Sequence, residues 1–171
     1  MADYGQEVVK IFLSGYGLEV KKIKEGSTKT PDFDVLMHSK RVFYCEEKTL
    51  EYDDFEGHKD DPVYNSISAH IHKAAKQFNS INPNHEVPNV LAFTSLDSSK
   101  DIHDLIITIT GNALLEGGGV LKIRNVGHRL DEDLDVIDLF LWFDQEKFIN
   151  FVIGRNSKYE QELLKVFNIT E

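Results

Sequence analysis

The chain has too little cysteine to staple a fold and too little positive charge to coat nucleic acid. One cysteine, Cys45, occurs in 171 residues, which excludes an internal disulfide and any zinc site built from several cysteines. No apolar run approaches membrane-spanning length and no positive-then-apolar leader opens the chain, so a soluble, cytoplasmic protein with no membrane partner is expected. Nineteen Lys and Arg face 29 Asp and Glu, a formal net charge of -10. That balance argues against nonspecific coating of nucleic acid, because grip on phosphate is carried by basic side chains. Helix-turn-helix, zinc-finger and aromatic RNA-binding signatures are missing, as are internal repeats and low-complexity tracts. Gly117-Gly118-Gly119 lacks the Lys-Ser or Lys-Thr that would follow in a phosphate-cradling loop, and reads as a turn.

What remains is long enough for one domain, residues 1–171, with a single core and no need of a staple. The acid excess is partly local: residues 51–61, EYDDFEGHKDD, hold six acids and one lysine. His58 within that loop is uninformative alone.

The informative stretch is residues 30–48, TPDFDVLMHSKRVFYCEEK. Residues 32–37 and 42–48 are rich in β-branched and aromatic side chains, and the polar residues 38–41 between them read as a hairpin turn. Alternation places Asp32 and Asp34 on one face; Glu46 and Lys48 share a face while Glu47 points oppositely. One carboxylate from each strand and the Lys48 ammonium can then meet at one edge of the sheet. Two carboxylates are hard oxygen ligands suited to Mg²⁺, with Mn²⁺ as a substitute, and such an ion lowers the pKa of the water it binds. A lysine beside that water supplies a compact positive charge for a developing anion.

Pro31-Asp32, thirteen intervening residues and Glu46-Glu47-Lys48 together resemble the PD-(D/E)XK nuclease superfamily, the restriction-endonuclease-like fold. The resemblance implies phosphodiester hydrolysis, with Asp32 and Glu46 as metal ligands, the Glu47 backbone carbonyl completing the shell and Lys48 as catalytic lysine. It also implies nucleic acid, DNA rather than RNA, as the partner. Some members of the superfamily carry an acid on the first helix, which brings Glu7 into consideration as a ligand; the helix dipole alone also accounts for an acid there. A later helix often sends Lys or Gln to the site, which nominates Gln77 as an assisting catalytic residue and, behind it, Lys73. Asp34 and Glu47 are extra acids beside the motif, so Asp34 could replace Asp32 and a bulge could exchange Glu47 for Glu46.

The rest of the chain supplies support. Asp3 and Gln6 approximate a capping box for a first helix with Val8, Val9, Phe12, Leu13 and Tyr16 on its apolar face, ended by Gly15 and Gly17. A strand over 18–24 and a loop over 25–30 lead to Pro31. Asp61-Pro62 starts the clearest helix, with Tyr64, Ile67, Ile71, Ala74, Ala75 and Phe78 at helical spacing and His70, Lys73 and Gln77 in one polar stripe. His70 and His72, two residues apart, diverge on a helix and do not suit zinc. A loop over 79–88 precedes a buried strand over 89–95. Ile102, Leu105, Ile106, Ile109 and Ala113 fit a helix, although 106–110 is β-branched enough for a strand. Residues 120–124 and 136–143 read as additions to the sheet, 125–135 as a polar loop, and 148–153 as a second hairpin strand or a helix. Ser157 is expected to cap a last helix with Tyr159, Leu163, Val166 and Phe167 inward. Lys40, Arg41, Arg124, His128, Arg129 and Arg155 are scattered candidates for nucleic-acid contact.

The expected fold is α/β, a mixed central sheet flanked by helices, with a restriction-endonuclease-like core over 3–95 and a carboxy-terminal α/β extension over 96–171. The competing class is a non-catalytic acidic interaction domain retaining that fold, meeting a protein partner or a second copy as a homodimer. An acidic decoy occupying another protein's DNA groove would use the same charge excess.

Overall fold

A computed structural model describes residues 2–52 and 60–169, without the side chains of residues 2, 3, 60–62, 128 and 129. Most of the acidic loop with His58 and the side chains of Asp3, Asp61, Pro62, His128 and Arg129 lie outside what is described; the first helix already begins at Ala2, so Asp3 lies within it and is not its N-cap, and the helix expected from Asp61-Pro62 begins at Asp60.

Six strands form one mixed sheet. β1 (Glu19–Lys22), β2 (Phe33–Met37) and β3 (Lys40–Leu50) are an antiparallel meander. α2 (Asp60–Ile81) then crosses to β4 (Asn89–Ser95), parallel to β3, and β7 (Leu139–Asp144) lies parallel to β4. β8 (Lys147–Ile153) closes the far edge antiparallel to β7, giving the order β1-β2-β3-β4-β7-β8. All seven residues of β4 are buried, as expected of a strand with parallel partners on both sides and helices on both faces.

One face of the sheet is covered by α1 (Ala2–Ser14) and α5 (Glu160–Val166), which pack Val9, Leu13 and Leu163 on Phe43, Cys45, Ala92 and Leu141. The other is covered by α2, α3 (Ile102–Thr110) and α4 (His128–Leu134), where Ile67, Ile71, Phe78 and Leu105 meet Leu91, Phe93 and Trp142. Among the described residues no helix is long and apolar enough to cross a membrane.

Several sequence expectations change. The β2–β3 turn contracts to His38 and Ser39, with φ of 49° and 65°. A two-residue turn with both central residues left-handed matches the twist of paired strands. Lys40 and Arg41 therefore belong to β3, and Arg41 stays there by gripping Asp34 through two hydrogen bonds of 2.7 and 2.8 Å. Asp32 precedes β2 instead of lying within it.

Residues 125–135 are not all loop, because α4 occupies 128–134; its only inward signal is Leu130 and Leu134, one turn apart. Residues 120–124 do not extend the main sheet: β6 (Val120–Lys122) pairs with β5 (Asn112–Leu114) in a separate ribbon. α3 stops before Ala113 because Gly111 adopts φ 75°, and a Cβ there would meet the Arg124 carbonyl oxygen at 2.3 Å. The 148–153 alternative resolves as a hairpin strand. Ser157 is not the N-cap of α5, which is Tyr159; its hydroxyl instead donates to the buried Asp138 Oδ1 at 2.6 Å and accepts from the Tyr159 amide.

Candidate active site

Where β2 gives out before β3 does, β3 is left with an edge unpaired by strand, and Asp32 fills it. Register runs Phe33↔Cys45 and Asp34↔Tyr44, and the one irregularity falls between Val35 and Leu36, on the far side of the motif. Alternation along 44–50 is therefore undisturbed. Glu46 and Lys48 face α2, and Glu47 and Thr49 face α1.

The carboxylates are tied together through the backbone. The Asp32 amide donates to Glu46 Oε2 at 2.9 Å, and the Glu47 amide donates to Asp32 Oδ2 at 2.8 Å. A strand residue's N–H and C=O leave on the same edge, so the Glu47 carbonyl faces the Asp32 side. Lys48 Nζ donates to Glu46 Oε1 at 2.5 Å and to Gln77 Oε1 at 2.8 Å. Gln77 Nε2 in turn donates to the Thr30 carbonyl at 2.9 Å, fixing the amide's orientation and pinning the β1–β2 loop to α2. Asp32, Glu46, Lys48 and Gln77 thus form one connected network.

The remaining expectations separate. Asp34 is committed to Arg41, which leaves Asp32 as the acid beside Glu46. Glu47 lies on the opposite face, where Thr49 Oγ1 donates to its Oε1 at 2.9 Å. Glu7 is exposed and lines a neighbouring groove, not the cavity at Asp32. The preceding residue takes that place: Gln6 Nε2 donates to Asp32 Oδ1 at 2.8 Å while Gln6 Oε1 accepts from Lys22 Nζ at 2.7 Å. Sequence reading looked on the first helix for a charged ligand and missed an amide; the capping-box position of Gln6 was the only signal available. Lys73 lines the groove next to the site. His72 is bonded to Asp133, with Nδ1 and Oδ2 2.8 Å apart.

The network floors a cavity of about 540 Å³, walled by the β1–β2 loop from Ile23 to Pro31 and by Gln77. Glu46 and Glu47 are buried, with 2% and 6% of their surface exposed. Burial first, and the Asp32 charge second, raise the Glu46 carboxyl above its ordinary value. Burial likewise pushes Glu47 up to about 7, and raises Asp32 against the pull of the Glu47 amide and Lys48. Burial also drives the Cys45 thiol well up, consistent with a packing role.

Among the described residues no three His, Cys, Asp or Glu side chains are grouped to hold a metal ion. The set at Asp32 and Glu46 is smaller: two carboxylates in direct contact, with the Glu47 carbonyl on the same edge. Such a donor set fits Mg²⁺, which takes one or two carboxylates and keeps several waters, and does not fit zinc.

The charge is segregated. Outside residues 51–61, the first 95 residues carry ten Lys and Arg against nine Asp and Glu, so the excess acid resides in that loop and in the extension. Compared with protein-family models, curated proteins and solved structures, the chain matches none.

Proposed function

We propose that this protein is a divalent-metal-dependent nuclease that hydrolyses phosphodiester bonds, with DNA as substrate. Each turnover consumes one water: a P–O bond breaks, water oxygen replaces the leaving oxygen on phosphorus, and a phosphomonoester and a hydroxyl result. The observation that carries the reading is the single hydrogen-bonded network of Asp32, Glu46, Lys48 and Gln77 on the floor of an open cavity.

Asp32 and Glu46 would hold Mg²⁺ or Mn²⁺, with the Glu47 carbonyl beside them; when bound, the ion supplies a Lewis acid and acidifies water. Lys48 places an ammonium next to Glu46, where it orients the attacking water and offsets the negative charge that grows on the phosphate oxygens. Gln77 holds Lys48 on that line by accepting from its ammonium through Oε1. Gln6 fixes the Asp32 carboxylate by donating to its outer oxygen. The preorganised ammonium is the largest contribution asked of the protein, of order 10²–10³ in rate, about 3–4 kcal/mol.

The test is cleavage of plasmid and oligonucleotide DNA in Mg²⁺ and Mn²⁺ by wild type and Lys48→Ala, with thermal melting to verify folding. The variant is expected to melt as a folded protein and to lose cleavage; retained cleavage overturns the proposal. Mg²⁺ should raise the melting temperature of wild type and leave Asp32→Ala/Glu46→Ala unchanged, because binding to the folded state alone stabilises it.

A further inference from the structure

A second groove opens beside the site, between the β1–β2 loop and the exposed face of α2. Its volume is about 330 Å³, and it is lined by Lys73, Lys76 and Ser80 together with Thr28, Lys29, Lys48 and Gln77, which also line the site's cavity. Four of its lining residues are lysines and none is acidic, in a chain of net charge -10.

The groove is built by specific contacts. Gln77 Nε2 donates to the Thr30 carbonyl at 2.9 Å and Ser80 Oγ donates to the Lys29 carbonyl at 3.0 Å. These two bonds stitch the loop to α2 and bring Lys29 into the same groove as Lys73 and Lys76. Lys73 and Lys76 are three apart on a helix, so they share a face and repel each other. Both Arg41 and Arg155 are matched, Arg41 with Asp34 and Arg155 with Asp131 and Asp135. Among the described residues, no ion pair engages Lys29, Lys73 or Lys76. Three exposed like charges around one groove do not help the chain fold, and a bound polyanion would offset them.

We infer that this groove binds the phosphodiester backbone of the nucleic-acid strand leading into the site. The inference rests on the nuclease reading for its direction, since Lys48 and Gln77 belong to both cavities and a strand lying in the groove would deliver its next phosphate to Asp32 and Glu46. It also removes the objection raised by the net charge, because the contact surface is basic although the molecule is acidic.

The test is fluorescence anisotropy of a labelled single-stranded DNA oligonucleotide in EDTA, titrated with wild type, Lys73→Glu/Lys76→Glu and the charge-matched Lys147→Glu/Lys165→Glu. The groove variant is expected to bind at least tenfold more weakly. Its salt dependence, log K against log salt, should be shallower by about 1.4, two phosphate contacts at about 0.7 each. Equal weakening in the two charge-matched variants, or no binding by wild type, overturns the groove. Competition by inorganic phosphate or by polyglutamate as effective as that of unlabelled oligonucleotide, at matched charge, also overturns it, by reducing it to a simple anion site or an acidic-peptide site. Groove-dependent binding without cleavage in any metal would sustain the groove and overturn the nuclease reading, so the two fail separately.

Discussion

Gly5→Ala provides a test of sign. A glycine in a helix ordinarily costs about 1 kcal/mol relative to alanine, so the substitution would stabilise a free helix by about that much. Here α1 crosses β3 so closely that a Cβ on Gly5 would lie 2.1 Å from Glu47 Oε1, 2.5 Å from its Cδ and 2.7 Å from Thr49 Oγ1. All three are inside contact distance, so either the helix lifts or the Glu47 carboxyl swings away from Thr49. Overpacking of this kind costs about 2 kcal/mol. Swinging the carboxyl away instead breaks the Thr49 bond, which also costs about 2 kcal/mol, and on either route the helix gain returns about 1. The net is about 1 kcal/mol of destabilisation, or a fall in Tm of about 2–4 °C for a chain of this length. Urea denaturation of wild type, Gly5→Ala and Gly26→Ala measures it; Gly26 faces open space and should change stability by less than about 0.5 kcal/mol. Adding Glu47→Ala to Gly5→Ala vacates the contested space, so the double variant should lose less than the sum of the singles. A Gly5→Ala protein more stable than wild type would refute the close approach and with it the placement of Glu47.

Three further outcomes are expected. In chelator, stability should fall as pH rises from about 4.5 to about 7: the folded Glu47 carboxyl holds its proton up to about 7 while the unfolded one releases it near 4.5, which is worth about 3 kcal/mol and shifts in the same direction as Glu46. Glu47→Gln should flatten that decline, and an equally steep decline in the variant would remove Glu47 as its source. Gln6→Ala strips Asp32 Oδ1 of its donor and should lower metal-dependent cleavage about 10–100-fold with little change in melting; undiminished kcat/KM at limiting Mg²⁺ counts against a positioning role. Asp138→Ala should cost about 3 kcal/mol by calorimetry, because the buried carboxylate accepts from the Asn89 amide and Ser157 Oγ and lies 2.6 Å from His85 Nε2; a loss below about 1 would mean water satisfies those groups.

The parts legible in the sequence were those whose signal is local. The span of β4, the inward face of α2 and the Glu46–Lys48 alternation all follow from residues that are neighbours along the chain. α4 was hidden because HRLDEDL offers two apolar side chains, Leu130 and Leu134, and its helical state depends on packing against another element, α2. β5 was hidden because three residues, Asn112–Leu114, carry no period of their own. At the site, the pairing of Asp32 with Glu46 follows from motif and alternation, whereas the partners that hold them do not. Gln6 reaches Asp32 across 26 residues with nothing in its segment to announce the meeting, and Gln77, which reaches Lys48 across 29, was nominated through the family resemblance and not by composition. Lys29 and Lys76 likewise looked like ordinary solvated charges until the loop was stitched to α2, and Lys73 stood out only through the resemblance.

The strand order also sets a timetable for synthesis. Asp32, Glu46 and Lys48 lie in a meander of neighbouring strands, which needs only short-range closure, and their assembly can begin once Leu50 has emerged. β4 is different: both its partners are parallel, and β7 begins only at Leu139. At translation rates of about 5–20 residues per second, roughly 2–9 s separate the end of β4 from the start of its second neighbour. During that interval one whole edge of Asn89–Ser95, a seven-residue strand buried throughout in the finished protein, has no partner on the nascent chain. The best-protected strand of the native sheet is therefore the segment most exposed to mispairing while the protein is being made, and the chain's need for a chaperone should be concentrated there.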